Sequence, residues 1–251
     1  MCKDCGCSIT EHHHEEHHHH NHHEQEIKDK KVVDVIKNIL DKNDKQAMSN
    51  RKHFEEHGVL CINLMSSPGS GKTSLLEATI EALKDKIRIG VIEGDLETNN
   101  DAMRIKAKGA KSYQITTGQA CHLDAFMVHD GIHNLGIEDL DIVFIENVGN
   151  LVCPAAYDVG AHMNVVLFST TEGEDKPVKY PVMFKSANLV VITKIDLIQY
   201  LDFDLQKAKN YVKEVNPQAD IITLSTKTKE HLEKWLKYLE FKLEIFKNSL
   251  D

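Results

Sequence analysis

Cys2, Cys5 and Cys7 open a stretch that continues with nine histidines between His12 and His23. Thiolate and imidazole are ligands that Ni²⁺ and Zn²⁺ accept readily. Three cysteines this close together are spaced to wrap one ion tightly. The neighbouring histidines, on a flexible chain, are not preorganised and are expected to hold several ions loosely, as a store or buffer. Glu15, Glu16 and Asn21 interrupt the histidine run, and the cysteines precede it, which sets it apart from a purification tag. A second set of soft ligands lies deep in the chain, where Cys121 and His122 are adjacent and Cys153 follows a later loop. Three ligands leave a coordination position for water or a second copy of the chain. By residue type alone a Cys-His pair of this kind is more often structural than functional.

A different chemistry is written at 66–73, Ser-Ser-Pro-Gly-Ser-Gly-Lys-Thr. Pro68, Gly69, Ser70, Gly71, Lys72, Thr73 and Ser74 form a phosphate-binding loop: the glycines turn backbone amides toward phosphate, and Lys72 reaches the terminal phosphates. The Thr73 hydroxyl coordinates Mg²⁺, and a helix starting near it adds its positive end. Ser66 stands where the pattern usually has glycine. Two acidic strand ends, Glu93-Gly94-Asp95 and Glu146-Asn147-Val148-Gly149, supply carboxylates for metal and water chemistry. Asp95 is assigned to Mg²⁺ or its waters, and Glu146 to the metal–water shell. Downstream, Thr193-Lys194-Ile195-Asp196 resembles the guanine-specificity motif of GTP-binding proteins, with Thr193 in the usual Asn place. The Asp196 carboxylate can accept from the ring N–H and exocyclic amine of guanine, a donor pair that adenine lacks, while the Lys194 stem covers the base. Ser225-Thr226-Lys227 resembles the loop that completes a guanine pocket.

These residues need elements to position them. Short apolar runs at 59–67, 87–95, 140–149, 164–173, 187–196 and 219–226 alternate with amphipathic stretches, the pattern of an α/β doubly wound, mainly parallel sheet. Residues 1–23 are expected to form a disordered metal-binding tail and 24–56 a helical linker of one or two amphipathic helices. Residues 57–251 are expected to form the nucleotide domain. From His231 to about Leu250, Leu232, Trp235, Leu236, Leu239, Leu243 and Phe246 recur at helical spacing, so Trp235 reads as core. Cys61 falls within a predicted buried strand and also reads as core.

Composition narrows the function classes. A net charge of −9 at pH 7 argues against a broad nucleic-acid footprint. No apolar run approaches the roughly 18–20 residues of a membrane span, so a cytoplasmic location is expected. Six cysteines in such a chain read as thiols or metal ligands rather than disulfides.

From 59 to 226 the chain resembles the HypB family of hydrogenase nickel-incorporation GTPases, through SSPGSGKTS, EGD, TTGQACHLDA, FIENVGNLVCP, TTEGEDKPVKYP and TKID. Cys2-Lys3-Asp4-Cys5-Gly6-Cys7 matches the family's C-x-x-C-G-C nickel element. The resemblance implies a SIMIBI-class P-loop NTPase fold, slow GTP hydrolysis and a nucleotide-dependent homodimer. It also implies delivery of nickel to the hydrogenase large subunit with a HypA-type accessory protein. Carried over by motif, Cys121, His122 and Cys153 would form a dimer-interface Ni²⁺ or Zn²⁺ site, and Lys176 would reach the nucleotide of the opposite subunit. The urease nickel GTPase is the nearest rival, but its metal motif is C-P-H, whereas here Cys121-His122 pairs with a separate Cys153. A nickel store with an idle nucleotide domain would have no need of Lys72, Thr73 and Asp95.

Overall fold

The computed structural model describes residues 22–95, 100–118 and 120–250. Cys2, Cys5, Cys7 and the histidine run as far as Asn21 lie outside the described residues. Strand β1 (Leu60–Ser66) is the centre of a seven-stranded sheet, with β4 (Ile142–Glu146) and β5 (Met163–Ser169) parallel on its two sides. Beyond β4 come β2 (Ile89–Asp95) and β3 (Lys111–Thr116), and beyond β5 come β6 (Leu189–Thr193) and β7 (Asp220–Thr223). Every pairing is parallel. The strands' C-terminal ends therefore share one edge, where ligands of open α/β sheets bind.

Burial on both faces explains the continuous apolar runs. Along β4, Ile142 and Phe144 join a core with Leu75 and Leu76 of α2 (Lys72–Leu83) and Trp235 and Leu239 of α8 (Leu232–Asn248). Val143 and Ile145 point the other way, into a core with Phe54 of α1 (His22–Glu56) and Val128 and Ile132 of α4 (Ala125–Leu135). Cys61 is fully buried in this second core, as its strand position predicts. A third cluster packs Phe184 of α6 (Pro181–Lys185) and Val212 of α7 (Leu205–Val215) on β5 and β6. Trp235 is fully buried and its indole N–H donates to Thr79 Oγ1 at 2.8 Å.

Two features depart from the sequence reading, and a third sharpens it. Strand β3 was not anticipated: at the sheet edge, KSYQIT is half exposed and carries no apolar run. The strand expected over 164–173 ends at Ser169, where a capping box between Ser169 and Glu172 turns the chain into a short 3₁₀ helix. The helical stretch before the sheet is one continuous helix, and its second half is part of the packing. Asn43 accepts from Ala125 N–H at 2.9 Å and Asn50 donates to Ala125 O at 2.7 Å, so two buried α1 amides grip the first residue of α4. Gly160 lies so close to α1 that a Cβ there would stand 2.5 Å from Ala47 O. Among the described residues, no helix is long and apolar enough to cross a membrane.

Candidate functional site: a phosphate cavity joined to a thiol–imidazole cluster

The loop after β1 takes the shape its glycines permit. Gly69 and Gly71 have φ of 75° and 96°, a left-handed backbone that side chains disfavour, and α2 starts directly after Gly71. No side chain caps α2, so its first amides face a cavity of about 520 Å³ at the C-terminal edge of the sheet. Lys72, Thr73, Glu93, Asp95, Glu146 and Lys194 all line this cavity. Lys72 is almost fully buried, its amine donates to Ser66 Oγ at 2.9 Å, and burial holds its pKa down. Ser66 thus gives the lysine a resting partner that glycine could not.

Opposite the lysine, the Thr73 hydroxyl donates to Glu146 Oε1 at 2.8 Å. Glu146 and Glu93 are register partners on adjacent strands and almost fully buried, and each keeps one carboxylate oxygen without a hydrogen bond. Burial raises both pKa values, that of Glu93 to about 8, with Glu146 as its next cause. Buried carboxylates of this kind either hold a proton or pair with a cation. Donors of this chemistry beside a threonine hydroxyl at a phosphate loop fit Mg²⁺. Glu93 was named with its acidic strand end but given no role of its own, whereas the structure sets it beside Glu146 in the cavity.

The base motif is tied to the phosphate loop through backbone oxygens. Thr193 Oγ1 donates to Ser70 O at 2.7 Å, and Lys194, itself left-handed at φ 59°, donates to Gly69 O at 2.7 Å. Asp196 lies in the 3₁₀ turn that follows β6. Ser225 is fully buried and accepts from Thr228 N–H at 3.2 Å. Thr226 and Lys227 line a neighbouring cavity that shares Ser74 with the phosphate cavity. A latch also emerged that sequence reasoning missed: Glu172 accepts from the hydroxyls of Ser67 and Ser70 and pairs with Lys176 at 3.3 Å. Lys176 is therefore engaged within its own chain, with its amine 5.0 Å over the Tyr180 ring. Glu172 sits inside the quoted TTEGEDKP run, but its partners lie about a hundred positions away.

Cys121, His122 and Cys153 meet as expected. Their ligand atoms all lie within 4.8 Å of one another, and the two sulfurs, which form no disulfide, are 2.9 Å apart. His122 stacks on Tyr157 at 3.9 Å, and burial lowers its pKa, which favours the neutral imidazole that binds metal. The donor set suits Zn²⁺ or Ni²⁺.

One short segment joins the two halves. Glu146 ends β4 at the cavity, and Asn147 Oδ1 accepts from Leu123 N–H at 3.1 Å. Gly149 passes so close to Pro68 that a Cβ would stand 3.1 Å from its backbone, and Asn150 donates to Cys121 O at 3.3 Å. These contacts run from the phosphate loop to the backbone of Cys121.

Comparison with known proteins identifies the family. The family model for the nucleotide-binding domain of CobW/HypB/UreG matches residues 60–223. The hydrogenase maturation factor HypB of Rhizobium leguminosarum is 51% identical over 210 residues, covering 84% of this chain and 70% of that protein. The Helicobacter hepaticus hydrogenase/urease maturation factor HypB is 46% identical over 217 residues, 85% of this chain and 89% of that protein. Two solved structures superpose with TM-scores of 0.77, each over 81% of this chain. They are HypB from Archaeoglobus fulgidus, at 39% identity and 100% of its length, and HypB from Helicobacter pylori in complex with nickel, at 42% and 95%. Signal recognition particle 54 kDa protein from Aeropyrum pernix, at 16% identity and TM-score 0.51, shares the fold alone over 76% of this chain and 49% of its own. The chain belongs to the CobW/HypB/UreG family and, within it, to the HypB hydrogenase maturation factors.

Proposed function

We propose that this protein is a cytoplasmic nickel metallochaperone whose GTP hydrolysis supports insertion of nickel into the [NiFe]-hydrogenase large subunit. The observation that carries the reading is the continuous path from Thr73 and Glu146 through Asn147, Gly149 and Asn150 to Cys121. It supports the reading because one short segment connects the phosphate-loop threonine with the Cys121 cluster. Lys72 and the α2 amides bind the phosphates, Asp196 with Lys194 and Thr193 reads guanine, and Ser225, Thr226 and Lys227 complete the base pocket. Thr73, Asp95 and Glu146 hold Mg²⁺, which neutralises charge developing on the transferred phosphoryl group.

Cys121, His122 and Cys153 hold Ni²⁺ or Zn²⁺ as cargo, with the remaining position filled from a second copy of the chain or by water. A homodimer formed in the presence of GTP and metal would draw Lys176 from Glu172 toward the partner's nucleotide. Cys2, Cys5 and Cys7 form the high-affinity nickel site and the histidine run a buffer. A HypA-type accessory protein is the partner in transfer.

The test is hydrogenase activity, alongside any urease activity, in cells lacking this gene, with and without added nickel. Loss of hydrogenase activity that nickel partly restores is the expected result. Unchanged hydrogenase with impaired urease would transfer the protein to urease maturation. Equal turnover of GTP and ATP by the purified protein would remove Asp196 from base recognition.

A further inference from the structure

Four histidines outside the site just described meet where α1 packs on α4. His53 lies in the last turn of α1 and His57 just past its end, while His129 and His133 lie one turn apart on α4. The His129 and His133 ring centres are 4.5 Å apart at an interplanar angle of 84°, and those of His53 and His133 are 5.3 Å apart at the same angle. His57 stacks on His53 at 4.6 Å, its Nδ1 2.9 Å from His53 O, leaving its Nε2 as the nitrogen available to a ligand.

Imidazoles bound cis to one ion, with metal–nitrogen distances of about 2.0–2.1 Å, place their ring centres about 4.5 Å apart in octahedral and about 5.2 Å apart in tetrahedral geometry. Each perpendicular pair falls near one of these spacings, and the rings must turn for both to serve a single ion. Histidines at i and i+4 on one helical face, as His129 and His133 are, form a standard chelating pair, and here His53 packs against that pair. We propose that His53, His129 and His133, with His57 able to join them, form a second metal site that takes borderline divalent ions such as Ni²⁺ or Zn²⁺.

Several observations support this. Burial, then the neighbouring imidazole of His57, lowers the pKa of His53 and favours the neutral ligand form, with Glu56 opposing. His57 and His133 are exposed and His53 and His129 half-buried, so an ion can reach them from solvent. Among the described residues only Cys121, His122 and Cys153 already hold their ligand atoms within 4.8 Å, so binding here requires the exposed rings to turn. The position is also suggestive. Helix α4 is capped by Asp124, so the cluster stands on the helix that begins just after Cys121 and His122. His129 is four residues past its first, about 6 Å along the axis.

The test is carbethoxylation of histidines by diethylpyrocarbonate in the full chain at constant pH, with and without saturating Zn²⁺ or Ni²⁺, read at each histidine by peptide mass spectrometry. Residue-level readout keeps the histidine run near the start of the chain from obscuring the result. The expected result is severalfold slower modification of His53, His129 and His133 together, with that slowing lost at His53 and His129 in His133→Gln. Protection of His122 should survive the same substitution. Modification of His129 that ignores metal in the unsubstituted chain, or protection at His53 and His129 that persists in His133→Gln, would overturn the proposal. Failure of protection at His122 alone would instead count against metal at the Cys121 site.

Discussion

The phosphate loop and the thiol–imidazole cluster lie on the same edge of one sheet but are built differently. Ser66 to Thr73 are contiguous, and their shape follows from two left-handed glycines and a helix start. Cys121 and Cys153 come from separate loops, and they meet because α1 amides grip Ala125 while Asn147 and Asn150 hold the chain on either side. The first site is a local motif that the fold presents. The second is a tertiary juxtaposition that the fold creates, so it is the one that movement of a neighbouring loop can open or close.

The largest expected effect separates the two regions. Lys72→Ala should lower GTP turnover by about 10³-fold, since the cation facing the terminal phosphates is lost. Nickel binding at Cys2, Cys5 and Cys7 and at the internal cluster should be retained. Parallel loss of turnover and metal, by steady-state kinetics and equilibrium dialysis, would break the division into two sites.

A pH effect of the fold itself must be set apart before metal data are compared across pH. Burial, then Arg51, pulls the pKa of His162 from 6.5 down to about 4, and its Nδ1 accepts from Cys61 N–H at 2.9 Å. Between those values the unfolded chain binds the extra proton, so stability is present above pH 6.5 and lost as pH falls toward 4. The loss is up to about 3 kcal/mol. Urea unfolding from pH 7 to 4 should show the slope, and His162→Gln should flatten it.

Removal of a ligand tests the tertiary site directly. Cys153→Ser should weaken Ni²⁺ or Zn²⁺ at the internal cluster by at least about 10-fold and nearer 100-fold. GTP turnover measured without added metal should be unchanged. A titration with a metal indicator decides this, and an unaltered affinity would remove Cys153 from the ligand set.

The smallest effect probes the connection. In Gly149→Ala the new methyl meets Pro68 at 3.1 Å, and the strain should cost about 1 kcal/mol in stability. The change in GTP turnover caused by added nickel should shrink severalfold while each ligand alone still binds. Normal coupling in this variant would mean that the contact with Pro68 does not transmit the signal.

The strands, the closing helix and the phosphate loop were legible because each is a local pattern: a fully buried strand is a continuous apolar run, and a phosphate loop is a fixed spacing of glycine, lysine and threonine. Edge strand β3 was not, since its half-exposed residues carry no such run. The ligands at Cys121, His122 and Cys153 could be named from residue type and family motif, but the 4.8 Å closeness of their donor atoms exists only in the folded chain.

Sequence alone determined which chemistries this protein carries, because side-chain donors and glycine conformations are properties of single residues and short runs. Tertiary structure decided which of them act together. The Glu172 latch on Ser67 and Ser70, the facing carboxylates of Glu93 and Glu146, and the four histidines between α1 and α4 all join residues far apart in the chain. Only the parallel sheet and the packing of helices on its faces bring such residues within reach, and no local spacing encodes that approach.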